Sequence, residues 1–133
     1  MVQTRNSQQR ILIENIMRDN YDHPTADEVY EKAREQDSHI SRGTVYRNLN
    51  LLAKRGDVRR LTMPDNPDHY DGRTDNHYHF LCRRCGRVFD TPISYNETYN
   101  DISKSMPGFE TERHRLLFIG LCPDCAEKET KEK

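Results

Sequence analysis

The sequence predicts an α+β fold in two parts: a winged helix-turn-helix, then a small α/β unit closed by a four-cysteine zinc site. Three observations carry this. Three short helical patterns and a hairpin pattern occupy the first half. The four cysteines form two C-x-x-C pairs in the second half. Only 33% of the 133 residues are hydrophobic, against 32% charged, so the core calls for a metal, a second copy of the chain, or both.

The elements follow in order. Ser7 to Arg18 predicts a helix: Ile11, Ile13, Ile16 and Met17 recur near helical spacing, with Ser7 as N-cap. Thr25-Ala26-Asp27-Glu28 after Pro24 is a capped helix start, with Val29, Tyr30 and Ala33 inward. Ser41 caps a third helix whose stripe is Val45, Leu49 and Leu52, and Gly56 ends it. Val58, Leu61 and Met63 predict a strand, Pro64–Pro67 a turn, and His69–Asp71 a returning strand. Strands then follow at His77–Cys82 and Arg87–Asp90, a helix at Tyr95–Met106, and a strand at Arg115–Leu121. The tail Glu127–Lys133 is polar and is expected to fray. The domains are set at 1–65 and 70–133, with a hinge at 66–69.

Charge divides the same way. Residues 1–64 carry 11 Lys/Arg against 9 Asp/Glu, and residues 65–133 carry 10 against 13. Within 42–60, Arg42, Arg47, Lys54, Arg55, Arg59 and Arg60 face only Asp57, so a net charge of −1 hides a basic segment. No apolar run approaches the 18 or so residues of a membrane span. The polar start Met1–Asn6 lacks a signal-peptide stretch, and the cytosol is the expected compartment.

Disulfides rarely persist there, so Cys82, Cys85, Cys122 and Cys125 read as metal ligands. Four thiolates close a tetrahedral zinc site and leave no open position, which makes the site structural. The competing reading is a pair of redox C-x-x-C motifs, which a doubled motif in one small unit disfavours. Among the six histidines, His77 and His79 alternate along a predicted strand and share a face. With Asp71, Asp90 and the more distant His23 they offer nitrogen and carboxylate donors suited to iron, manganese, nickel or zinc. His39 and His69 are expected at the surface, and His114 on a strand, partly buried. A metallo-hydrolase would lack a clear general base and leave the helix-turn-helix unexplained, so no enzyme is expected. A purely structural zinc adaptor would leave the histidines and carboxylates idle.

The run His23-Pro24-Thr25-Ala26-Asp27-Glu28-Val29-Tyr30 resembles the ferric-uptake-regulator (Fur) superfamily of metal-dependent repressors. So do Ile40 to Leu49, His77-x-His79-x-x-Cys82-x-x-Cys85-Gly86 and Gly120-Leu121-Cys122-x-x-Cys125. The resemblance implies a DNA-binding winged helix, a hinge and an α/β dimerisation domain. It implies structural Zn2+ on the four cysteines and regulatory Fe2+ or Mn2+ on His23, Asp71, His77, His79 and Asp90. Such a metal would shift the chain toward its DNA-competent state. Within the family the pattern is most similar to the peroxide regulators, which carry aspartate where this chain has Asp90. A further metal site of iron regulators would fall on Asn76 and Tyr78, poor replacements, with only His114 matching its role. Family members usually carry an additional helix before the segment that begins here at Arg5.

By the same resemblance, Arg42 to Lys54 is the recognition helix. Arg42, Thr44, Tyr46, Arg47 and Asn48 are candidates for DNA contact in the major groove, and Lys54, Arg55, Arg59 and Arg60 for phosphates. Tyr46 alternatively belongs to the core. A homodimer predicts a palindromic double-stranded operator and no membrane partner. Peroxide acting through bound Fe2+ is expected to oxidise His23 or His77 and relieve repression. The alternative is a repressor that senses iron, manganese or zinc level instead.

Overall fold

The computed structural model describes residues 4–18 and 20–132. The polar start Met1–Gln3 and the tail's last residue, Lys133, lie outside the described residues. The chain forms two compact units, Met1–Asp75 and Asn76–Lys133.

The first unit contains α1 (Arg5–Arg18), α2 (Ala26–Gln36), α3 (Arg42–Arg55), β1 (Arg59–Leu61) and β2 (His69–Asp71). Its core gathers one stripe from each helix: Ile13 and Met17, Val29 and Ala33, Val45, Leu49 and Leu52. α1 begins before Ser7, because the Thr4 hydroxyl accepts the Ser7 N–H at 3.1 Å; Thr4, not Ser7, supplies the cap. Thr25 and Glu28 form a complete capping box on α2. Ser41 caps α3, and Gly56 ends it at φ +80°, a left-handed turn that suits glycine. β1 and β2 pair antiparallel, with Arg59 opposite Asp71 and Leu61 opposite His69. That pairing holds β2 in the first unit, which runs to Asp75.

The second unit contains β3 (His79–Cys82), β4 (Val88–Asp90), a 3-10 helix (Glu97–Ser105), β5 (Leu117–Gly120) and α4 (Pro123–Glu132). Its sheet runs β4-β3-β5, with β4 antiparallel and β5 parallel to β3. Two expectations need correction. The Tyr95–Met106 helix is a shorter 3-10 helix, which starts where the Asn96 side chain accepts from the Thr98 N–H and hydroxyl. The tail is helical to Glu132, not frayed. Pro123 suits the first helical position, and Arg83 and Arg84 pair with Glu129 and Glu132 from across the knuckle. The edge strand β5 leaves Phe118 and Ile119 exposed, and Ile102, Met106 and Phe109 are exposed as well.

Candidate metal centres and nucleic-acid interface

The cysteine cluster is built from two turns. Cys82 ends β3, and the turn to Cys85 is closed by the Cys85 N–H on the Cys82 sulfur at 3.5 Å. Gly86 sits at φ +76°. Cys122 precedes α4, and Cys125 lies in its first turn. All four sulfurs lie within 4.8 Å of one another, with Cys85 and Cys122 at 4.0 Å. Cys82, Cys122 and Cys125 are buried and Cys85 is exposed. Burial raises the Cys82 thiol, but backbone N–H groups around the knuckles outweigh it and bring the thiol down to about 6. Burial, then the neighbouring thiols, push Cys125 up to about 12. Although the residue as a whole is exposed, desolvation of the Cys85 sulfur among the other three also raises its thiol. Four converging sulfurs, one of them poised as a thiolate, fit a tetrahedral zinc ion.

Histidine and carboxylate side chains converge in each unit. In the first, His23 Nε2 lies 3.2 Å from Asp71 Oδ2, and both side chains are almost wholly buried. Asp71 Oδ1 accepts the Arg73 N–H at 2.9 Å. Gly72 follows where no side chain fits, since a Cβ there would lie 2.4 Å from the Met17 carbonyl oxygen. In the second unit, His77 Nε2 lies 2.9 Å and His79 Nε2 3.5 Å from the same Asp90 oxygen. The two rings stand 4.4 Å apart. Strand pairing of His79 with Asp90 sets this geometry. His77 precedes β3 rather than lying on it, yet it still reaches Asp90. Ring nitrogens gathered on a carboxylate are a donor set that fits a divalent ion of intermediate hardness.

His114 is not on a strand. It lies before β5, where its Nε2 is 2.7 Å from the Tyr78 hydroxyl and its Nδ1 is 2.8 Å from the Asn100 Oδ1. Tyr95 stacks on its ring at 4.5 Å. Tyrosine and asparagine thus surround His114 where a metal site would need carboxylates. His39 is exposed, as expected.

α3 presents its basic face to solvent. Arg42, Tyr46, Arg47, Lys54 and Arg55 are exposed, while Thr44 and Asn48 are half-buried. Tyr46 is not in the core: its hydroxyl donates to Asp27 Oδ1 at 3.1 Å. Arg42 reaches the same oxygen at 2.6 Å and lies over the Tyr30 ring. Arg47 donates to the Thr44 hydroxyl and Asn48 to the Thr44 carbonyl. Arg55 lies near Glu14 and Asp57, and Arg60 bonds Asp68 at 2.7 Å. Asp27, which organises two of these side chains, was not visible as such in the sequence.

His69 is the clearest departure. Expected at the surface, it is buried, and its Nδ1 meets the His23 carbonyl. The signal was available: alternate residues of a strand share a face, so an inward Asp71 places His69 inward too.

The model of the ferric uptake regulator family matches residues 1–119. The chain is 32% identical over 120 residues to the peroxide-responsive repressor PerR of Staphylococcus epidermidis (strain ATCC 12228 / FDA PCI 1200), covering 90% of this chain and 80% of that protein. Among solved structures, the ferric uptake regulator of Francisella tularensis with iron is similar at TM-score 0.77 and 26% identity, over 95% of both chains. The peroxide stress regulator of Campylobacter jejuni is similar at TM-score 0.71 and 26% identity, over 90% of both. The family match over most of the sequence, the winged helix and the cysteine and histidine clusters agree: the chain belongs to the ferric uptake regulator family.

Proposed function

We propose that the chain is a homodimeric, metal-dependent transcriptional repressor that responds to peroxide. The observation that carries this reading is the convergence of His77 and His79 on Asp90, an aspartate as in the peroxide-regulator pattern. The 32% identity to a peroxide-responsive repressor supports it. Family membership makes the chain a transcription regulator rather than an enzyme. No helix among the described residues is long and apolar enough to cross a membrane.

In this reading Cys82, Cys85, Cys122 and Cys125 hold structural Zn2+. His23 and Asp71 join His77, His79 and Asp90 around a regulatory Fe2+ or Mn2+. Fe2+ bound there supplies the electron that turns peroxide into a local oxidant, and Mn2+ supports repression without it. The protein's part is to keep imidazoles His23 and His77 beside that centre. Adding an oxygen to either ring removes ligand basicity, weakens metal retention and releases the operator.

Arg42, Thr44, Tyr46, Arg47 and Asn48 contact DNA from α3, with Lys54, Arg55, Arg59 and Arg60 on phosphates. The exposed apolar side chains of β5 and the 3-10 helix suit a second copy of the chain.

Operator binding is measured with Fe2+, Mn2+ and Zn2+, each with and without peroxide. Loss of binding only for the Fe2+ form, with added oxygen on a peptide containing His23 or His77, is the expected result. Peroxide-insensitive binding that follows metal level favours the metal-sensing alternative. Oxidation confined to Cys82 or Cys122 points to a thiol switch. Arg47→Ala is expected to weaken operator binding at matched salt, and unchanged affinity removes Arg47 from the contact set.

A further inference from the structure

β2 works with both its faces. Tyr70 belongs to the core cluster, and its hydroxyl lies 3.5 Å from Asn50 Oδ1 on α3. His69 and Asp71 share the other face, and both are buried. Both also meet His23, at opposite ends of that residue. Asp71 lies against the His23 ring, whereas His69 Nδ1 lies against the His23 carbonyl. A carbonyl oxygen only accepts, so Nδ1 of His69 carries the proton.

His23 needs holding. Its φ is +57°, a conformation that residues with a side chain seldom adopt, and the following Pro24 restricts it further. Such a backbone persists where its surroundings over-determine it. Three features do so here. His69 donates to the His23 carbonyl, the Tyr70 N–H donates to the Pro24 carbonyl at 2.8 Å, and Thr25 bridges to His69. Only the first depends on a side chain.

We propose that His69 is a positioning residue for the regulatory metal: its Nδ1–H clamps the His23 carbonyl and fixes the backbone from which the His23 ring meets Asp71. This rests on the reading of His23 as a ligand. His69 itself holds no metal. It acts as outer-shell partners of ligands do, by removing freedom from a donor.

The test uses the full chain, zinc-loaded, titrated with Mn2+. His69→Leu keeps bulk and loses the donor, whereas His69→Asn keeps an N–H near the place of Nδ1. His69→Leu is expected to bind Mn2+ about 10–100-fold more weakly, with zinc content unchanged. His69→Asn is expected to recover most of that loss. Long-range 1H–15N spectra recorded before Mn2+ is added are expected to place the His69 proton on Nδ1. Wild-type affinity in His69→Leu, an Asn variant as weak as the Leu variant, or a proton on Nε2 would each overturn the role. His23→Ala separates the two levels. If it binds Mn2+ as tightly as wild type, the ligand reading fails and the role with it. If it binds weakly while His69→Leu does not, the positioning role alone fails.

Discussion

The cysteine cluster and the histidine–carboxylate sets are assembled in opposite ways. The four sulfurs come from two turns of one unit, and their elements are tied further by Arg83 to Glu129 and Arg84 to Glu132. They are one kind of atom. The other donors are mixed nitrogen and oxygen, and they are shared out, two residues in the first unit and three in the second. Uniform thiolates make a closed zinc site that is part of the fold. Mixed donors accept several divalent ions, with affinity rising from Mn2+ through Fe2+ toward Cu2+, so occupancy depends on supply as well as on affinity. On the proposed reading, the first arrangement suits permanence and the second suits sensing.

The comparison breaks first at the cysteines. Cys122→Ser is expected to lose zinc and the folded second unit together. Structural zinc contributes about 10–16 kcal/mol, as much as the whole stability of a typical domain. Metal analysis and circular dichroism check this, and a folded, zinc-loaded variant would end the structural role. Acid probes the same cluster. Zinc takes thiolates, while Cys85 and Cys125 hold their protons above the ordinary thiol range. Zinc uptake near neutral pH therefore expels both protons. Apparent affinity is expected to rise at least about 100-fold per pH unit in that range, each of these two protons contributing a factor of ten. Competition with a chelator at stepped pH measures it.

Asp90→Ala sharpens the other side. It is expected to weaken Mn2+ binding by at least the 10–100-fold typical of lesser changes around a metal, with zinc content intact. Parallel loss of zinc would show that the two sets are not separable. Gly72→Ala places a Cβ against the Met17 carbonyl beside Asp71 and is expected to cost about 1–3 kcal/mol in urea denaturation. The smallest effect is on the DNA face. Asp27→Ala frees Arg42 and Tyr46 from an exposed carboxylate, a contact worth about 0–1 kcal/mol. A modest gain in operator affinity with a steeper salt dependence is expected from salt-titrated mobility shifts.

What was readable in the sequence was local. The Thr25–Glu28 capping box, the Ser41 cap, Gly56 and the His69–Asp71 strand are fixed by neighbours a few residues apart, and each stands where its pattern indicated. The doubled C-x-x-C pattern likewise converges as its spacing implied. Features that depend on distant partners were not readable. α4 lacks an apolar stripe strong enough to declare itself, and its charged residues look like a tail until Arg83 and Arg84 are placed opposite them. The aromatic surround of His114 draws on Tyr78, Tyr95 and Asn100 from three segments. His69 is a mixed case: its inward face was readable from the alternation with Asp71, but its partner, a carbonyl 46 positions away, was not.

The start of α2 has a mechanical consequence. Its capping box begins two residues after His23, so the helix is already rigid at Thr25. Asp27, in the first turn, grips both Arg42 and Tyr46. Only four positions separate a proposed ligand from the anchor of the proposed reading surface. On the proposed reading, a change at His23 has only Pro24 and the N-cap Thr25 to cross before it reaches the helix whose Asp27 holds Arg42 and Tyr46.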